Sequence, residues 1–176
     1  MELLTERLRL RAVSASDRDA LHDLWTEPDV RRYLWDDVII DPGQVDEVIA
    51  ASEGSFAAAG FGQFALELRG SEEGLIGFCG LRTFEGGDQV ELLYGIAPRW
   101  WRKGIVHEAA VAVLRHAFEE LNLRRVIAAT DTPNQRSVQV MQRLGMSFDE
   151  RREFHGLDTV FYSITAEEFS EFHDED

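Results

Sequence analysis

The densest concentration of chemistry-bearing side chains is Pro98-Arg-Trp-Trp-Arg-Lys-Gly-Ile-Val-His-Glu108. Arg99, Arg102 and Lys103, the last being the only lysine of the chain, form a cationic island where a strand pattern gives way to the longest helical one. A helix N-terminus offers unpaired N–H groups and a partial positive charge, an arrangement that holds phosphate or diphosphate. An anionic cofactor suits this chemistry; a solvated basic loop is the alternative from these residues alone. Just upstream, Glu91 stands between Val90 and Leu92. Apolar neighbours lift a carboxylate's pKa towards the range of a general base, and a solvent-facing strand glutamate is the plainer alternative.

Other patterns are weaker. Gly60-Phe-Gly-Gln-Phe-Ala65 satisfies G-x-G-x-x-A, but a dinucleotide turn needs a strand before it and a helix after it. Here a helical pattern leads in and the alternating Phe64, Leu66, Leu68 leads out. No phosphate-loop G-x-x-x-x-G-K-[ST] occurs, and His22, His107, His116, His155 and His173 show no zinc-ligand spacing with Cys79 or a carboxylate, so no metal is expected. Cys79, the single cysteine, excludes an intrachain disulfide and lies in an apolar strand pattern more typical of core than of a nucleophile.

These residues must be positioned by one folding unit, since 176 residues fit one domain, 1–176, with no repeat or linker. With 33 acidic against 18 basic residues the formal net charge is -15. That disfavours nucleic acid as a partner and favours cationic substrates. The first residues carry charge where a signal peptide needs an apolar run, and no 18-residue apolar stretch exists, so a cytoplasmic address and no membrane partner are expected.

Leu8, Leu10 and Ala12 alternate with Arg7, Arg9 and Arg11, the period of a half-buried strand. Ser16 is placed to cap a helix holding Ala20, Leu21, Leu24 and Trp25, ended by Pro28, and a further helical piece includes Val30 and Leu34. Asp41-Pro42 starts another helix, with Val45, Val48, Ile49 and Phe56 inward, stopped by Gly60. Residues 63–69, 75–84 and 89–96 read as an antiparallel meander. A helix over 104–121 and a strand over 125–130 then make a crossover between parallel neighbours. A helix over 134–144 closed by Gly145 and two strands, 148–154 and 159–164, follow, with an acidic, frayed tail from Glu167. The class is α/β (α+β mixed sheet), with about seven strands and four helices.

Taken together, Thr5-Glu-Arg-Leu-Arg-Leu-Arg11, Gly77-Phe-Cys-Gly-Leu81, Val90-Glu-Leu-Leu-Tyr-Gly-Ile96, the 98–109 segment and Asn134-Gln-Arg-Ser-Val-Gln-Val-Met-Gln-Arg-Leu-Gly145 resemble the GNAT superfamily of N-acetyltransferases, in its RimJ/RimL-type branch. The resemblance implies a strongly twisted sheet splayed between its fourth and fifth strands, acetyl-CoA as co-substrate, and direct acetyl transfer to a primary amine without an acyl-cysteine. The acceptor would be a protein or peptide N-terminus, a polyamine or an aminoglycoside-like molecule. A catalytically silent acyl-CoA-binding module is the alternative, and a homodimer would be in keeping with the family. It further implies a diphosphate cradle at Trp101, Arg102, Lys103, Gly104, Ile105, Val106 and His107, with Leu93, Tyr94 and Ile96 on the preceding strand also against the cofactor. Arg102 stands where the branch usually has glycine, Val106 where it has alanine or glycine, and His107 for a usual threonine or serine, facing phosphate or water. Glu91 would be the base. A backbone N–H near Leu93 or Tyr94, at a bulge, would hold the oxyanion, and Asn134 would bind the pantetheine arm. Met141 takes the place of the tyrosine acid many members use, leaving the sulfur to Ser137 or water, unless Ser137 bonds a backbone carbonyl one turn back. Tyr33 and Trp35, beside Asp36 and Asp37, would wall the acceptor.

Overall fold

The computed structural model describes residues 1–173. Its strands are β1 (Glu2–Leu4), β2 (Leu8–Ala12), β3 (Gln63–Leu68), β4 (Leu75–Thr83), β5 (Val90–Ile96), β6 (Arg125–Asp131), β7 (Ser147–Phe154) and β8 (Leu157–Thr165). They form one sheet in the order β1-β2-β3-β4-β5-β6-β8-β7. All neighbours are antiparallel except β5 and β6, so the sheet is mixed, as expected. The helices are α1 (Arg18–Thr26), α2 (Pro28–Leu34), α3 (Pro42–Ala59), α4 (Ile105–Arg115), α5 (Gln135–Arg143) and α6 (Ala166–His173).

Local chemistry explains most boundaries. Asp41 accepts a hydrogen bond from the Gln44 N–H at 3.0 Å with Pro42 in the first turn, which starts α3. Gly60 and Gly145, after α3 and α5, have φ of +79° and +84°, the left-handed conformation that ends a helix at least cost in glycine. Gly60 thus follows a helix and precedes β3, the reverse of a dinucleotide turn.

Three expectations are corrected. β1 is an eighth strand, pairing with β2 through Leu3 opposite Leu10. The turn into α1 is capped by Ser14 instead of Ser16, because Asp17 receives the Ser14 N–H at 2.8 Å while Arg11 grips both Asp17 carboxylate oxygens. The acidic tail is not frayed over the described residues: α6 buries Phe169, and His173 Nε2 lies 3.1 Å from the Leu144 carbonyl. The frayed end expected for residues 174–176 lies outside the described residues.

Strand alternation divides the apolar residues between two faces. Phe64 and Leu66 of β3, Leu92 and Ile96 of β5, and Ala109, Ala110, Val113 and Leu114 of α4 share the larger core. Ala65 and Phe78 face the other way, against Leu21, Leu24 and Trp25 of α1, Val30 of α2 and Val45 and Ile49 of α3. α4 therefore covers one face and α1 to α3 the other, with β5 exposed to both. No helix of the described residues is long and apolar enough to cross a membrane.

Candidate active site

β5 and β6 separate almost as soon as they meet: among the described residues their pairing is confined to Glu91 opposite Ile127. A cavity of about 790 Å³ passes through this opening and borders both faces of the sheet. It takes in every residue assigned to the site from sequence except Lys103.

The strand before the cradle presents different chemistry on its two faces. Leu92, Tyr94 and Ile96 turn to the α4 side, and Leu93 packs with the α1–α2 core, which places Glu91 on that same α1–α2 face by alternation. Glu91 is 4% exposed, and its Oε2 accepts from Arg82 Nε at 2.9 Å. Burial pushes its pKa up, Arg82 resists this, and the charge of Glu85 adds to the rise. The expected bulge is absent, since β4 and β5 stay in register from Gly77 opposite Ile96 to Thr83 opposite Val90. The opening supplies the free donor instead. The Ala97 N–H bonds Ile76 across β4, so antiparallel alternation turns the N–H of Leu93 to β4 and that of Tyr94 away from it, into the gap towards β6.

On the α4 side, Trp101 Nε1 donates to the Ile96 carbonyl at 3.1 Å, folding the cradle back on β5. Arg102 has φ of +62°, which explains why glycine is usual at this position, and Gly104, with φ of +72°, is the residue before α4. With glycine there, no side chain caps the first N–H groups of α4, which remain available to an anion. Val106 borders the cavity but also packs on the larger core. His107 Nε2 lies 3.2 Å from the Arg143 carbonyl.

The cationic island is divided. Lys103 Nζ sits 4.7 Å, and the Arg99 guanidinium 5.9 Å, from the Trp100 ring, and neither residue borders the cavity. The cavity's arginines are Arg82, held by Glu91, and on the α4–α5 side Arg102 with Arg136 and Arg143 of α5; Arg136 lies 3.6 Å above the Trp101 ring. Arg136 was missed by the sequence analysis, although it sits inside the Asn134–Ser137 segment already singled out. A brace at the N-terminus was missed as well: Arg7 donates to the Lys103 carbonyl at 2.9 Å and pairs with Glu108 at 2.6 Å. Burial raises the Glu108 pKa, but hydrogen bonds from Thr5 and Arg7 bring it below the usual range.

Asn134 serves α5 directly, donating to Thr130 Oγ1 at 3.0 Å and accepting the Ser137 N–H at 3.4 Å. Ser137 Oγ lies 2.7 Å from the Tyr94 hydroxyl. At the opposite end, Tyr33 and Trp35 wall the cavity with Trp25, whose ring lies 5.6 Å from that of Trp35. Asp29, Asp36, Glu85, Glu91 and Asp131 also border it there. Burial raises the Asp131 pKa, and the charge of Asp36 raises it further, so these two carboxylates feel one another across the mouth. Among the described residues no cluster of three or more metal-ligating side chains occurs.

Three comparisons give these features a family. The chain is 26% identical over 175 residues to the uncharacterized N-acetyltransferase p20 of Bacillus licheniformis, covering 96% of this chain and 98% of that one. The solved acetyltransferase (GNAT family) from Bacillus anthracis superposes with a TM-score of 0.79 at 26% identity, over 95% of this chain and 99% of that one. Spermidine N-acetyltransferase from Vibrio cholerae, solved with CoA and spermine, shares the fold with a TM-score of 0.76 at 20% identity, over 94% of this chain and 99% of that one. The acetyltransferase (GNAT) domain model matches residues 7–147, and the chain belongs to the GNAT family of N-acetyltransferases.

Proposed function

We propose that this enzyme transfers acetyl directly from acetyl-CoA to the primary amine of a cationic acceptor, a protein N-terminus or a small amine, in the manner of the RimJ/RimL-type branch its motifs resemble. The observation that carries this is the reversal of charge along one cavity, from Arg102, Arg136 and Arg143 on the α4–α5 side to Asp29, Asp36, Glu85, Glu91 and Asp131 on the other, where Arg82, paired with Glu91, is outnumbered. Arg102, Arg136 and the uncapped N–H groups of α4 suit a diphosphate. Acids and aromatic rings at the other end suit an ammonium group.

Only a neutral amine attacks. Glu91, buried and shifted upward, takes the ammonium proton directly or through water. The nitrogen then adds to the thioester carbon, and the Tyr94 N–H, aimed into the gap, stabilises the oxygen that gains charge. As the C–S bond breaks, its electron pair goes to sulfur, and the Ser137 hydroxyl donates a hydrogen bond to it. A thiol of reference pKa about 8.5 is a good enough leaving group for a hydrogen bond to suffice; as the adduct collapses the nitrogen gives up its second proton, which reaches the thiolate through water, and Glu91 returns its own proton to solvent.

Thiol release from acetyl-CoA, with mass analysis of the acceptor, across a panel of peptide N-termini, polyamines and aminoglycosides tests this reading. Release with a 42 Da gain on a cationic amine is expected, 42 Da being about the mass of an added acetyl group less one hydrogen. CoA binding without turnover on any amine favours the silent acyl-CoA-binding module.

A further inference from the structure

The Tyr94 hydroxyl belongs to neither the apolar packing of its ring nor the backbone donor described above. It comes from β5 and meets α5 across 43 residues of sequence, with its oxygen 2.7 Å from Ser137 Oγ and 3.2 Å from the Ser137 carbonyl. Both residues border the cavity on its α4–α5 side.

We propose that Tyr94 is a positioning residue for the reaction, its phenol donating to Ser137 Oγ so that the serine proton is left to point at the thioester sulfur. This rests on the reading of Ser137 as the sulfur's hydrogen-bond donor. A serine hydroxyl has one proton and two acceptor sites. If it accepts from Tyr94, that proton has to go elsewhere; either hydroxyl can donate across 2.7 Å, and this arrangement requires the phenol to give its one proton to Oγ in place of the Ser137 carbonyl at 3.2 Å. The phenol is suited to a donor that never switches off: burial pushes its pKa well above the ordinary tyrosine value, more than the hydrogen bond with Ser137 lowers it. A donor chain of this kind also strengthens the second bond by polarising the first. It uses a phenol from β5 in a chain whose α5 carries Met141, fully buried, in place of a second phenol.

The test is a double-mutant cycle on the full chain, reading kcat and KM for acetyl-CoA. Tyr94→Phe is expected to lower kcat about tenfold, one lost hydrogen bond being worth about 1.4 kcal/mol at that ratio, with KM changed less than twofold. In the Ser137→Ala background the same change should have no further effect. Equal losses in both backgrounds, a pure KM effect, or an unchanged kcat in Y94F with a slowed S137A overturns the role of Tyr94 and leaves Ser137 in place. An unchanged kcat in S137A removes Ser137 from the mechanism and the Tyr94 role with it. Should Y94F not fold, 4-methylphenylalanine and 4-aminophenylalanine at position 94 fill the space of tyrosine without and with a donor. A tenfold loss confined to the methyl variant supports the proposal, and equal rates overturn it.

Discussion

The two faces of β5 carry opposite chemistry on consecutive residues. Towards α4 lie Tyr94 and Ile96, the cradle folded back through Trp101, and a cavity wall whose charges are Arg102, Arg136 and Arg143. Towards α1 and α2 lie Leu93, the acidic group around Glu91, and the indoles of Trp25 and Trp35. The sheet would keep these two surfaces apart if β5 and β6 stayed paired. Because their pairing is confined to the Glu91–Ile127 position among the described residues, the arginine-lined wall on one face and the acidic wall on the other open on the same gap. An overall charge of -15 therefore says little about where an anion binds, since a local reversal in sign is enough.

The faces also differ in how their backbone is held. The non-glycine residues with positive φ among the described residues are Asp36, Asp37, Glu85, Arg102, Asn122 and His155, and all but Asp37 and Asn122 border the cavity. Strained residues collect where a site over-determines them. Around the acidic end they sit at loop tips, with Glu85 Oε1 and His155 Nε2 joined at 3.1 Å between two turns. At the cradle the strain is braced by the Arg7 contact to the Lys103 carbonyl.

The sharpest way to separate the faces is to remove the proposed base. Glu91→Gln should lower kcat about 10²-fold or more at neutral pH without changing CoA affinity, measured by thiol release and CoA titration. The upward shift of Glu91 also fixes two pH trends. Wild-type kcat/KM should rise with pH through a midpoint above the ordinary carboxylate range. Stability should fall over the interval from the unfolded pKa up to that raised value, because the folded state holds the proton longer than the unfolded one. A urea-unfolding series against pH should show this slope in the wild type and lose it in E91Q.

Next in size, Arg102→Ala or Arg136→Ala should each weaken CoA binding about tenfold, the value of a charge-assisted hydrogen bond, with the acceptor KM unaffected. A change on the acceptor side alone would break the assignment of faces. In the converse experiment, Asp36→Asn and Asp131→Asn should each raise KM for a cationic acceptor about threefold, less at high salt, and leave CoA binding alone. The smallest effect expected is a gain. Arg102→Gly relieves a left-handed residue and should raise the melting temperature by about 2 °C, the relief being partly offset by the entropy of glycine, even as it weakens CoA binding.

Much of the scaffold was legible because it is local. The alternation of Leu8 and Leu10, the Asp41-Pro42 start and the Gly60 and Gly145 stops are each decided within a few residues. β1 was missed because Glu2–Leu4 is too short to show a period. α6 was missed because the acid-rich composition outweighed the single buried Phe169. In the site, the position of Glu91 and the cradle could be found from the residues around them, whereas Arg136 over Trp101, Arg7 on Lys103 and Tyr94 on Ser137 are contacts between distant segments. Trp100 shows the limit most clearly: Lys103 and Arg99 lie against its ring, so two of the three cations of the island do not border the cavity and Arg102 alone of them does.

The central claim is that the mouth of α4, with Arg102 and Arg136, seats a diphosphate. Calorimetric titration with CoA and with pantetheine, which lacks the diphosphate, tests it most directly, alongside thermal melting. The account predicts saturable heat with CoA and, at a hundredfold excess over Kd, a stabilisation of about 2.7 kcal/mol, with neither from pantetheine at the same concentration. A flat CoA titration with an unmoved melting curve, or equal binding of pantetheine, would contradict it.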